Sequence, residues 1–139
     1  MVPVLFSLIL IGCCGYGIAC GGKPERTVAY MLLIAAGATA LVGYGLPQPR
    51  GVLRWPVMLV DFALAAGLMW VALKADRLWP LLVTALQLIT AVAHPALEMS
   101  GRTAPRAYMI AIFMSGFLIP PVLACGTFLH QRRNSLTKR

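Results

Sequence analysis

Acidic side chains are the scarcest feature of this chain. Its 139 residues include four Asp and Glu, and charged residues of both signs make up only 12%. An average soluble domain is about 25% charged and roughly 45–50% apolar. Here 60% of residues are hydrophobic and the mean hydropathy is +0.82. A small fold leaves much of its surface exposed, and this chain has too little charge to cover that surface. A water-soluble globule is excluded, and lipid has to cover the apolar area.

Other absences narrow the chemistry. There are two histidines and four cysteines, with no zinc-type spacing between them and no CxxC pair, so no metal centre is expected. No nucleophile–base pair is recognisable, which argues against an enzyme. Cys13, Cys14, Cys20 and Cys125 lie inside apolar runs and read as small packing residues. Cys13 and Cys14 are neighbours, so on a helix they point about 100° apart and cannot bridge easily. Neither an internal repeat nor an inverted pair of broken helices is present, which counts against a transporter fold. The formal charge of +8 sits between and after the apolar runs, as in membrane proteins, so nucleic acid is not an expected partner.

Five apolar runs remain, at about 1–22, 27–48, 55–73, 78–97 and 107–129. At about 1.5 Å per helical residue each can cross a hydrocarbon core of ~30 Å. The expected fold is an all-α bundle of five transmembrane helices, a single domain over 1–130 with a basic tail over 131–139. The first run lacks the Lys or Arg of a signal-peptide n-region. Leu10-Ile11-Gly12-Cys13 matches a lipobox pattern, but the run continues well past Cys13, which argues against lipidation there. Lys23-Pro24-Glu25-Arg26 reads as a tight polar turn, and Pro47, Pro49 and Gly51 as a helix break. Pro120 and Pro121 predict a kink in the fifth span.

Eight Lys and Arg fall on one side of this arrangement: Lys23, Arg26, Lys74, Arg77, Arg132, Arg133, Lys138 and Arg139. Arg50, Arg54, Arg102 and Arg106 fall on the other. The positive-inside rule then places the N-terminus outside and the tail in the cytoplasm. Trp55, Tyr44 and Tyr108 fall near the outer boundary, and Trp79 and Tyr30 near the inner one. Arg132, Arg133, Lys138 and Arg139 are expected to contact anionic lipid, or an acidic partner.

The third and fourth spans, joined by Lys74, Ala75, Asp76 and Arg77, must lie antiparallel and adjacent. They hold Asp61, the one acidic residue inside an apolar run, and His94, the one mid-run imidazole. Thr84, Gln87, Ala91, His94 and Glu98 recur at steps of three and four, with Thr90 beside them. Such a polar stripe should face the bundle interior, because lipid offers it no partners. Asp61 lies thirteen residues above Lys74 and His94 seventeen above Arg77, a difference in depth of about 6 Å. Side chains tilt toward their helix N-terminus, which narrows that gap and allows a direct or water-bridged contact. An unpartnered carboxylate at the centre of a membrane span costs about 2.5–3.5 kcal/mol on insertion scales, so a partner or a proton is required. Asp61, Gln87, Thr90 and His94 are therefore the candidate intramembrane polar site. Structural glue or a solvated helix end is the plain alternative. Haem or pigment ligation at His94 is not expected, since the only other imidazole, His130, lies at the opposite end.

The run Asp76-Arg77-Leu78-Trp79-Pro80-Leu81-Leu82, with Ala85-Leu86-Gln87-Leu88, Ala93-His94, Gly126-Thr127 and Gln131-Arg132-Arg133, resembles small integral membrane proteins of alphaproteobacteria. The likeness covers mainly the last two spans. It implies a bacterial inner-membrane location and carries no activity, since none is assigned to those proteins.

Small residues at Gly17/Gly21, Ala36/Ala40, Ala63/Gly67 and Ala107/Ala111 allow close helix approach. With connections of only a few residues, the surface open to partners lies mostly in the bilayer. The expected role is a non-catalytic accessory or assembly subunit of a larger membrane complex, in contact with lipid and with other transmembrane chains or its own copies. The alternative is a small transporter or proton-coupled carrier using Asp61 and His94.

Overall fold

A computed structural model describes residues 2–45, 55–99 and 106–137. They form five helices: α1 (Val2–Cys20), α2 (Lys23–Gly45), α3 (Trp55–Lys74), α4 (Trp79–Met99) and α5 (Arg106–Thr137). Among the described residues there is no strand. Lys23–Val42, Trp55–Lys74, Trp79–Ala96 and Phe113–Leu136 are each long and apolar enough to cross a membrane. The apolar part of α1, Val4–Cys20, is shorter; the whole helix, 19 residues, reaches about 28 Å. Four such helices fit a multi-pass membrane protein.

Two boundaries differ from the reading of the sequence. Lys23-Pro24-Glu25-Arg26 is the first turn of α2, not a turn between helices, and the break is confined to Gly21 and Gly22. The Gly22 carbonyl accepts from the Arg26 N–H at 3.1 Å, so Gly22 caps the helix. Pro24 then falls where its missing N–H would have no intrahelical partner, and Glu25 sits at the positive end of the helix dipole. At the other extreme, α5 is helical past 129 and carries His130 through Thr137 on its last turns. It is also one continuous helix through Pro120 and Pro121. Loss of apolar character ended the run in sequence, but it does not end the helix.

Each helix packs on the next, α5 closes on α1, and α2 and α5 also touch across the ring. Leu10 and Cys14, Val28 and Leu32, Leu64 and Leu68, Val83, and Ile119 and Leu123 fill its centre. Phe6 meets Phe117 edge to face at 5.3 Å, joining α1 to α5. The outer faces are apolar as well: Leu41, Leu73 and Ile34 are all more than 70% exposed. In lipid, apolar contact alone does not drive helices together, so close packing and interhelical hydrogen bonds must hold the ring.

The small residues serve that packing inside the chain. Gly17 lies against Leu123 and Ala29, Gly67 receives the end of Met31, and Gly126 carries the Trp79 ring. Gly21 is covered by Glu25. Ala63, by contrast, is exposed. Cys14 is fully buried, Cys20 and Cys125 are exposed, and all four thiols are free. The Pro47–Gly51 break, Arg50, Arg54, Arg102, Lys138 and Arg139 lie outside the described residues, as do the side chains of Tyr44, Glu98, Ala107, Tyr108 and Ala111.

Candidate functional site

Two polar clusters lie at opposite ends of the ring. One end holds the α1–α2 and α3–α4 turns and the last turns of α5, and is called the hairpin end below. The other holds the start of α1, α3 and α5.

Nearer the second end, Asp61 on α3 faces α4. Its Oδ2 lies 3.3 Å from His94 Nε2, and its Oδ1 accepts from Gln87 Nε2 at 3.2 Å. The structure thus brings Asp61, Gln87 and His94 together. Thr90 turns elsewhere: its hydroxyl lies 2.7 Å from Ser115 Oγ on α5 and 3.2 Å from the Leu86 carbonyl. Thr84 bonds the Pro80 carbonyl of its own helix at 2.8 Å. Helical rotation explains the split. Gln87 and His94 are seven residues apart, within about 20° of one direction, while Thr90 is rotated about 60° from Gln87. The stripe therefore addresses α3 with one edge and α5 with the other.

Beside Asp61 lies a cavity of about 550 Å³ walled by all five helices. Phe6, Leu10, Leu32, Leu64 and Ile119 are among its apolar lining, and Ser7, Thr39, Asp61, Gln87 and Thr90 supply its polar side chains. Its volume falls in the range of small-molecule sites, about 300–1,000 Å³. Ala36 and Ala40, two of the small residues singled out in the sequence, line it too. His94 stands behind Asp61, outside the cavity lining, with its side chain 30% exposed. A carboxylate in this position can take a hydrogen-bond donor or cation from the cavity, or a proton shared with His94.

The hairpin end holds a cluster that sequence reasoning missed. Glu25, fully buried, accepts from Arg77 Nη1 at 2.5 Å. Arg77 Nη2 lies 2.7 Å from His130 Nδ1. A guanidinium can only donate, so Nδ1 accepts and the ring hydrogen sits on Nε2. The Asn134 amide nitrogen lies 3.2 Å from Nε2. Tyr16 adds α1 by donating to Gln131 Oε1 at 2.7 Å. A Cβ at Gly22 would sit 2.9 Å from His130 Nε2 and 3.0 Å from Glu25 Oε2, so the bare glycine lets these groups converge. Arg77 thus ties α2, the α3–α4 turn and α5 together. The available signal was opposite charge at one end: Glu25 and Arg77 both lie beside turns on the same side of the charge count.

Arg132 and Arg133 are exposed on the last turns of α5. Among the described residues no three His, Cys, Asp or Glu side chains gather as metal ligands. No family model matches the chain, and no curated protein or solved structure does.

Proposed function

We propose that this chain is a five-span protein of a bacterial inner membrane, N-terminus outside and C-terminus in the cytoplasm, that carries a small solute in exchange for a proton. The observation that carries this reading is the cavity walled by all five helices. It sets one carboxylate, backed by one imidazole, in a mostly apolar wall. A single carboxylate can be compensated by an imidazolium on one side or by a cationic or hydrogen-donating solute on the other. Compensation by one weakens the need for the other, so solute and proton compete for Asp61. That competition is the thermodynamic core of exchange. The apolar wall suits a solute that is largely hydrophobic with one positive end. Gln87 holds Asp61 Oδ1 in place, while the Thr90 hydroxyl is engaged by Ser115 and the Leu86 carbonyl. The reading involves no cofactor.

The packing of Gly17, Gly21 and Gly67 within the chain removes much of the support that small residues lent to a subunit role. One observation still favours that second reading. Gly12, Gly15 and Ala19 lie on one exposed face of α1, and an added Cβ at either glycine would meet nothing within 4 Å. Such a face could seat a helix of another subunit or of a second copy.

Proteoliposomes loaded with a pH-sensitive dye and challenged with tetraphenylphosphonium, a compact lipophilic cation, separate the readings. The carrier reading expects proton release coupled to uptake of the probe, reduced at least tenfold in Asp61→Asn at unchanged protein level. No coupled proton movement, together with purification in mild detergent as part of a larger assembly that Asp61→Asn leaves intact, would favour the subunit.

A further inference from the structure

A second cleft, also about 550 Å³, opens at the hairpin end between the α3–α4 turn and α5. Its lining mixes charged or polar side chains, Arg77, Arg133, His130 and Asp76, with apolar ones, Ala72, Leu81 and Leu129. We infer that this cleft seats an anionic phospholipid, its phosphate against Arg77 and Arg133 and the start of an acyl chain against Ala72, Leu81 and Leu129.

Two observations lead there. The first is built geometry. Arg77 is held in place by the fully buried Glu25 and by His130, so its guanidinium is oriented before any ligand arrives. Arg77 makes one bond to each of these groups, and its fork carries five N–H donors. The second is charge. The described part of this end carries Lys23, Arg26, Lys74, Arg77, Arg132 and Arg133 against Glu25 and Asp76. Basic pockets between membrane helices suit anionic headgroups for this reason. Asp76 opposes an anion locally, which places the phosphate on the Arg133 side of the cleft. The mixed lining selects a lipid over a free ion, because inorganic phosphate would satisfy the cations and leave Ala72, Leu81 and Leu129 bare.

The full-length protein, stripped of native lipid in a neutral detergent, tests this by native mass spectrometry with added phosphatidylglycerol or phosphatidylcholine. Phosphatidylglycerol should be retained at least tenfold more tightly, and Arg133→Gln should remove most of that preference. Arg132→Gln deletes the same charge one residue away, outside the cleft lining, and should keep it. Leu81→Trp, which enlarges an apolar lining side chain without touching charge, should weaken retention several-fold. Equal retention of both lipids, or equal loss in Arg132→Gln and Arg133→Gln, would overturn the assignment in favour of diffuse surface attraction. Displacement of the lipid by millimolar inorganic phosphate would overturn it in favour of an ion site.

Discussion

The two ends of the ring solve the same problem in different ways. At each, one carboxylate must be reconciled with a low-dielectric interior. Glu25 is fully enclosed and meets a guanidinium, which stays charged and reaches Oε1 through Nη1 while Nη2 faces His130. Asp61 is partly accessible, with its side chain 15% exposed, and meets an imidazole and a neutral amide beside an open cavity. The first arrangement has little freedom to rearrange, because loss of either partner strands a buried charge. The second can exchange its partners. A latch and an adjustable site follow from the choice of counter-group and from the space left beside it.

Removing the latch should have the largest effect on stability. Arg77→Ala leaves Glu25 buried and unpaired and takes the donor from His130 Nδ1. Breaking a buried pair this way costs about 3–5 kcal/mol, and the lower figure is expected because Arg77 is 26% exposed. The thermal unfolding midpoint in detergent should fall accordingly. The double substitution Glu25→Met/Arg77→Met should recover most of the loss, since matched apolar groups strand no charge. If Arg77→Ala unfolds no earlier than wild type, the two ends do not differ as described.

The same substitution on one helix sharpens the comparison. At Gly126, near the latch, an added Cβ would lie 2.7–2.9 Å from three atoms of the Trp79 ring. Rigid ring carbons cannot yield as a flexible chain end can, so Gly126→Ala should cost about 1–3 kcal/mol. At Gly116, which lines the cavity, an added Cβ meets nothing within 4 Å. Gly116→Ala should stabilise by up to about 1 kcal/mol through helix propensity. Opposite signs for the two, read as shifts in unfolding midpoint, would confirm a tight end and a roomy one. Equal signs would remove the distinction.

The contrast also shows which parts of the molecule were legible in the sequence. The Asp61–His94 approach could be reached by counting, since both helices run from one short turn and a constant rise converts residue number to depth. Glu25, Arg77 and His130 share no such ruler. They are 52 and 53 residues apart along the chain, and they meet only because the ring closes α5 onto α1 and α2. No local period records that closure. Lys23-Pro24-Glu25-Arg26 reads as a tight polar turn by residue type, although proline is tolerated in the first helical turn, where its missing donor costs nothing. The small residues announced close packing without saying whether the partner was internal. Gly67 and Met31 answer that only once α2 and α3 are seen side by side.

The weakest tie at the adjustable end gives the smallest expected effect. Thr90 and Ser115 join α4 to α5 through hydroxyls 2.7 Å apart, and Thr90 also bonds the Leu86 carbonyl of its own helix. Thr90→Val keeps the shape and deletes the hydroxyl. Interhelical hydrogen bonds in membranes average about 0.6 kcal/mol, since the separated helices also find partners for these groups. A drop of that order in unfolding free energy is expected, well below the cost of Arg77→Ala. Binding of a lipophilic cation should persist in this variant, because the carboxylate that neutralises it is untouched and Gln87 still positions it. A loss of binding comparable to that of Asp61→Asn would mean that Thr90 belongs to the solute's first contacts, and that the two edges of the α4 stripe act as one surface toward the cavity.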